Sequence, residues 1–199
     1  MKYKFQEHIT DTYGSHLKIY TDGSLLEDGN TGAAFFIQSQ NIQKQFYIGK
    51  HYSILTAELI AIQQALLFLQ STHIHNQKCL LCVDSKSALQ ILQKSYSQIR
   101  PTLIYNIQRS IHDLAIDNVK VTFCWVPSHC GIIGNETVDK AAKHGAQNFN
   151  NTIRIDIPRD THELLVKVNS YMKEKHKKTL LQSNKAYCSS CIVKSNYIN

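Results

Sequence analysis

Four acidic residues fall where the surrounding sequence should be buried. Asp22 follows the apolar stretch Leu17 to Tyr20 within Thr21-Asp22-Gly23-Ser24, and Asp84 follows the unbroken apolar run Cys79-Leu80-Leu81-Cys82-Val83. Glu58 is the only Asp, Glu, Lys or Arg between Lys50 and Lys78, and it lies four residues before Ile62. Asp139 stands between Val138 and the small pair Ala141-Ala142. A carboxylate bordering a packed face is costly unless something cationic meets it. Carboxylates brought together also repel, so one must take a proton unless a cation neutralises them. Hard divalent ions with oxygen ligands resolve the conflict, and magnesium combines carboxylates with water and substrate phosphate. Two such ions about 3.5–4 Å apart can hold a phosphodiester, activate water and stabilise the leaving oxygen. Singly each acid has a plainer use: Asp22 in a turn, Asp84 as a helix cap, Asp139 at a helix N-terminus. The joint arrangement is what points to metal-assisted phosphodiester chemistry.

The elements that must position these residues follow from periodicity. Leu17 to Tyr20 read as a strand leading into a turn at Thr21–Ser24, and Asp28-Gly29-Asn30 as a second turn. Ala33 to Gln38 and Ile42 to Ile48 form a hairpin pair across Ser39-Gln40-Asn41. Leu55, Leu59, Ile62, Leu66 and Leu69 recur at helical spacing, with Ser53 as the N-cap. Cys79–Val83 is a strand buried on both faces, so Cys79 and Cys82, an odd number of positions apart, face opposite sides. Ser85 caps a short helix to Leu92. Pro101 opens another helix with Ile104, Ile107, Ile111 and Leu114 on one face, and Val119 to Trp125 form the last strand. Asn135 is placed as the cap of a helix through Lys143 that Gly145 ends. Three strands, a helix, a strand, helices, a strand and a helix make an α/β chain with a mixed sheet. Strand ends would gather Asp22 and Asp84 at one sheet edge.

Tyr20-Thr21-Asp22-Gly23-Ser24, Thr56-Ala57-Glu58-Leu59, Val83-Asp84-Ser85, Trp125-Val126-Pro127-Ser128-His129 and Gly134-Asn135-Glu136-Thr137-Val138-Asp139 together resemble type 1 ribonuclease H. The segment from Trp125 to Asp139 is most similar to the ribonuclease H domains of non-long-terminal-repeat retrotransposons. The resemblance covers residues 17–148 and implies a ribonuclease H-like fold: a five-stranded mixed sheet with helices on both faces. It implies a two-metal endonuclease that cuts the RNA strand of RNA–DNA hybrids, using two magnesium ions with manganese as a substitute. Asp22, Glu58, Asp84 and Asp139 would be the metal ligands, and His129 would assist proton transfer or product release. Ser53, Ser85 and Asn135 match positions that touch the hybrid, although all three also suit helix caps. Ile54 and Leu55 depart from the polar residues the family often has before Glu58. The stretch from Ser95 to Arg109 lacks the dense basic run with tryptophans of some bacterial members.

Charge is uneven. Residues 1–149 carry 13 Lys/Arg against 11 Asp/Glu, whereas residues 150–199 carry 9 against 4. The expected organisation is a leader at 1–16, the ribonuclease H domain at 17–148 and a basic, partly helical extension at 149–199. Within the extension, 150–158 reads as a linker and 159–182 as a basic amphipathic helix. That extension suits a polyanion partner. No apolar run approaches the ~20 residues that span a bilayer, and Met1 to His8 lack the apolar core of a signal peptide. No membrane association is expected, and an intracellular protein, nuclear or cytoplasmic, follows, with its six cysteines as thiols. Cys188 and Cys191 form a lone pair that would need two further ligands, such as His162 and His176, to hold zinc. The retroelement resemblance makes part of a reverse-transcriptase polyprotein one setting for the chain. A catalytically silent nucleic-acid-binding module derived from a retroelement is the alternative function.

Overall fold

The computed structural model describes residues 9, 11–94, 97, 99–158, 164–165, 168–169, 171–176 and 179. Strands β1 (Leu17–Leu25), β2 (Asn30–Ile37) and β3 (Ile42–Lys50) form an antiparallel meander. Helix α1 (Ile54–Ser71) leads to β4 (Lys78–Val83), which lies parallel to β1. Helices α2 (Lys86–Leu92) and α3 (Pro101–Ile116) cross over to β5 (Lys120–Trp125), parallel to β4. Helix α4 (Ile133–Gln147) and a short β6 (Ile153–Arg154) follow. The sheet order is β5-β4-β1-β2-β3-β6, so β1 is central and both Asp-bearing strands are internal.

Alternation along the strands builds two cores. Ile19, Phe35, Ile37, Cys79, Leu81 and Val83 face α1 and α3, while Tyr20, Ala34, Phe36, Leu80 and Cys82 face α4. Phe35 anchors the first core, with Phe68 of α1 at 5.3 Å and Phe46 at 6.1 Å between ring centroids. Cys79 and Cys82 fall into opposite cores, as their spacing predicts. Helix α1 is an exception to the reading that no apolar run nears membrane-spanning length. It is 18 residues long and apolar enough to cross a membrane by length and composition, but more than half of it is buried inside the molecule. It is apolar nearly all round because the sheet lies on one side and α3 on another.

Several expectations need correction. Thr21–Ser24 is strand and not a turn, because β2 continues to pair with β1 from Ile19↔Ile37 to Leu25↔Thr31. The sheet has six strands, not five: Ile153 and Arg154 pair with Phe46 and Tyr47 of β3. Residues 150–158 therefore do not hang free as a linker. The Tyr52 hydroxyl donates to the Ile157 carbonyl at 2.9 Å, and Arg100 reaches both Thr56 Oγ1 and the Pro158 carbonyl. Ile9 is buried and Tyr13 packs on the core facing α4, so the leader contributes to the fold. Asn135 does not cap α4, which starts at Ile133 with Ile132 as its N-cap. Gly145 lies inside α4, where a Cβ would come 2.7 Å from the Phe46 carbonyl oxygen. It serves helix–strand contact instead of termination.

Beyond Pro158 the described residues between 164 and 179 are helical, and Leu164, Leu165, Val168, Tyr171 and Met172 are exposed. The rest of the expected tail helix, and Cys188 and Cys191, lie outside the described residues.

The approach of α1 to β1 turns on Gly23. A Cβ there would sit 2.5 Å from the Glu58 backbone nitrogen and 2.8 Å from Ala57 carbonyl carbon. These are backbone atoms of a packed helix and cannot rotate away. Gly23→Ala should cost about 1–3 kcal/mol by overpacking, read as a lower urea midpoint with an unchanged slope. A wild-type midpoint would mean that α1 can lift off the strand freely.

Candidate metal centre

Register places the first two acids. Thr21 of β1 pairs with Val83 of β4, so Asp22 and Asp84 both stand one residue past that pair. Strand geometry turns both toward the α4 face. Glu58 arrives from the other face, on the second turn of α1. Ser53 caps that helix by accepting the Thr56 amide at 3.1 Å, and the missing side chain of Gly23 lets the helix come close. One carboxylate oxygen from each of Asp22, Glu58 and Asp84 falls within 4.8 Å of the others. Asp22 and Glu58 are 5% and 7% exposed. Asp22 Oδ2 and Glu58 Oε2 are buried without a hydrogen-bond partner.

Electrostatics follow from that crowding. Burial, then the nearby Asp84 and Asp139, pushes the Asp22 carboxyl up to about 8, against the pull of Lys143 and the Gly23 amide. Burial first, then Asp22 and Asp84, holds Glu58 well above the ordinary carboxylate range, with the Gly23 amide opposing. Asp84 is better supported: its Oδ2 accepts from Ser128 Oγ at 3.0 Å and from Asn135 Nδ2 at 3.3 Å. Asn135 is 3% exposed. Its aim at Asp84, and not at a helix end, is the role its sequence position concealed.

Asp139 does not join the triad of oxygens directly. It pairs with Lys143 Nζ at 2.8 Å, one turn along α4, and falls in a second group with His129 and Glu136, whose ligand atoms also lie within 4.8 Å of one another. It is close enough to Asp22 to raise that carboxyl, so the two groups adjoin. Glu136 was missed from sequence. It lies three residues before Asp139 on one helix face, and its Oε1 accepts the Gly131 amide at 3.1 Å, tying the loop that carries His129. His129 is exposed and holds a left-handed backbone (φ 53°). Ser85 caps α2 by accepting the Ala88 amide at 3.3 Å. The hydroxyls of Ser53 and Ser85 are thus engaged with helix amides beside the cluster.

Three crowded carboxylates, two of them with a buried, unpartnered oxygen, and no thiol or imidazole among them form a hard donor set. Such a set fits magnesium or manganese better than zinc or copper. Residues 14–147 match the family model described as RNase H.

The crowding makes metal-free stability depend on pH. Folded Asp22 keeps its proton up to about 8, whereas the ordinary value is 3.8. The folded chain therefore binds more protons in that window, and stability falls as pH rises from about 4 to about 8. In metal-free buffer the melting temperature should rise on acidification from about pH 8 to pH 5, a span within that window. Asp22→Asn should melt higher than wild type at the upper end and flatten the slope. Parallel melting curves for the two proteins across the window would show that the carboxylates do not oppose folding.

Proposed function

The chain belongs to the RNase H family, and from that premise we propose that it is an endonuclease hydrolysing the RNA strand of RNA–DNA hybrids. The observation that carries the reading is the cluster of Asp22, Glu58 and Asp84, one carboxylate oxygen of each within 4.8 Å of the others, with Asp22 Oδ2 and Glu58 Oε2 buried and without a hydrogen-bond partner. Asp22, Glu58, Asp84 and Asp139 would hold two magnesium ions, with manganese as a substitute, which when bound supply Lewis acidity at the phosphoryl group and an acidified water.

The chain's own residues do the rest. Ser128 and Asn135 fix the Asp84 carboxylate through Oδ2, and the Gly23 amide steadies Asp22 and Glu58. Water attacks phosphorus, the bond to the 3′ oxygen breaks, and the products are 5′-phosphate and 3′-hydroxyl ends. His129, on a loop tied down by Glu136 through the Gly131 amide, takes part in the proton traffic at the departing 3′ oxygen. Selectivity for the hybrid comes from 2′-hydroxyls and helix shape and not from base sequence. Ser53, Ser85 and Asn135 border the backbone path.

The wider setting is part of the same reading. The Trp125–Asp139 segment supports an origin in a non-long-terminal-repeat retrotransposon, within a reverse-transcriptase polyprotein acting inside the cell. The catalytic unit is assigned to 17–148, with residues 149–199 as a basic extension that strengthens the grip on nucleic acid. Because residues as far as Pro158 touch the body, the extension is tested by truncation after Pro158. Loss of the tail should weaken hybrid binding and flatten its salt dependence, since each phosphate contact adds a little under one log unit to the slope. An unchanged slope with a lower melting temperature would make the tail a packing element.

The activity test uses a labelled hybrid, the matching RNA duplex and DNA duplex, and magnesium. Only the hybrid should be cut, in its RNA strand. Asp22→Asn and Glu58→Gln should abolish cleavage, and His129→Ala should lower turnover about 10²-fold. Magnesium should also raise the melting temperature of wild type and not of Asp22→Asn. Binding of hybrid without any cleavage would favour a silent nucleic-acid-binding module.

A further inference from the structure

Beside the carboxylates the sheet edge carries a cation and an aromatic ring that the chemistry above leaves without a task. Lys86, the first residue of α2, is exposed, and its ammonium lies 4.1 Å from the centroid of the Trp125 ring. Trp125 ends β5, pairs in register with Val83 and is 40% exposed. Its indole N–H donates to the backbone carbonyl of Asp84 at 3.0 Å. The ring is thus pinned to the residue that supplies one of the clustered carboxylates.

The other ammonium at the cluster is engaged, because Lys143 pairs with Asp139 at 2.8 Å. Among the described residues, the ion pairs leave Lys86 without a carboxylate partner. A cation over an exposed ring gains a modest attraction, enough to favour one direction for a side chain that otherwise sweeps many. The ring covers one side of the ammonium and leaves the remaining N–H donors to solvent. Lysine binds phosphate as a point charge, and the exposed part of the indole offers a flat apolar surface.

We propose that Lys86, braced on Trp125, grips a backbone phosphate adjoining the one brought to the carboxylates, with the neighbouring sugar resting on the indole. The inference rests on the RNA–DNA hybrid reading and deepens it by naming the contact that sets the strand's position. Phosphate contacts position without reading sequence, so Lys86 acts alike on every hybrid.

Trp125 is the only tryptophan in the chain, which makes its emission a direct probe. The full chain is titrated with a short hybrid in calcium, so that the strand stays whole, at several salt concentrations and with two unrelated sequences. Hybrid binding should change the Trp125 emission. Lys86→Ala should weaken binding about fivefold on both sequences and lower the salt slope by about one, and Lys86→Arg should restore both. In magnesium, KM should rise in Lys86→Ala far more than kcat falls. If wild type cuts the hybrid while Lys86→Ala keeps its affinity, slope and emission response, the inference is overturned and the function stands. A lower melting temperature with an unchanged slope would make the pair a packing contact and overturn it equally. A wild-type chain that neither binds nor cuts hybrid would overturn both.

Discussion

Asp22, Glu58 and Asp84 hold carboxylate oxygens within 4.8 Å of one another, and that proximity is opposed by both burial and mutual repulsion. A chain left to itself would swing these groups apart into water. They stay because each is carried by an element whose position is fixed by many apolar contacts elsewhere. Asp22 and Asp84 ride on neighbouring strands covered on both faces, and Glu58 rides on a helix buried for most of its length. Stability gained in the two cores is spent holding a destabilised edge, a familiar relation between function and strain.

The sheet makes that arrangement possible by offering two sides. Helix α1 lies on one face and α4 on the other, and the C-terminal ends of β1 and β4 are where both can reach round. Glu58 comes from the first side, while Asn135, Asp139 and the loop bearing His129 come from the second. Glycines set the distances. Gly23 lets α1 settle on β1, and Gly145 lets α4 settle against Phe46 of β3. A methyl group at either place would push a helix outward, and with it the polar groups it carries.

A second brace ties the segment after β6 to the start of α1. Arg100 is buried at 6% exposure with a left-handed backbone (φ 51°). It donates to Thr56 Oγ1 at 3.1 Å and to the Pro158 carbonyl. Thr56 is two residues from Glu58, so the turn that presents Glu58 is held by its Ser53 cap, by Arg100 and by the segment after β6. This explains why residues past the matched 14–147 remain attached to the body. It also separates the docked stretch to Pro158 from the exposed helical residues beyond it.

What the sequence by itself determined is whatever depends on near neighbours. The stripe from Leu55 to Leu69 specifies α1, Ser53 and Ser85 specify caps, and the run Cys79–Val83 specifies a doubly buried strand. Asp84 was legible as a strand-end acid because an apolar run stops at it, whereas Asp22, read as following its strand, lies inside β1 opposite Ala34. Tertiary structure decided the rest, because it depends on partners distant in the chain. Thr21–Ser24 has the composition of a turn, but pairing with Gly32 to Phe35 keeps it extended, and its glycine is required by α1 instead of by a bend. Asn135 has the identity of a cap, but helix α4 begins earlier and points it at Asp84, 51 positions away. The two-residue β6 has no period to read, Ile9 is one apolar residue in a polar leader, and Glu136 gains meaning only from the loop folded over it. Local preference is weak, of the order of 1 kcal/mol or less per residue, so long-range pairing and packing override it wherever the two disagree.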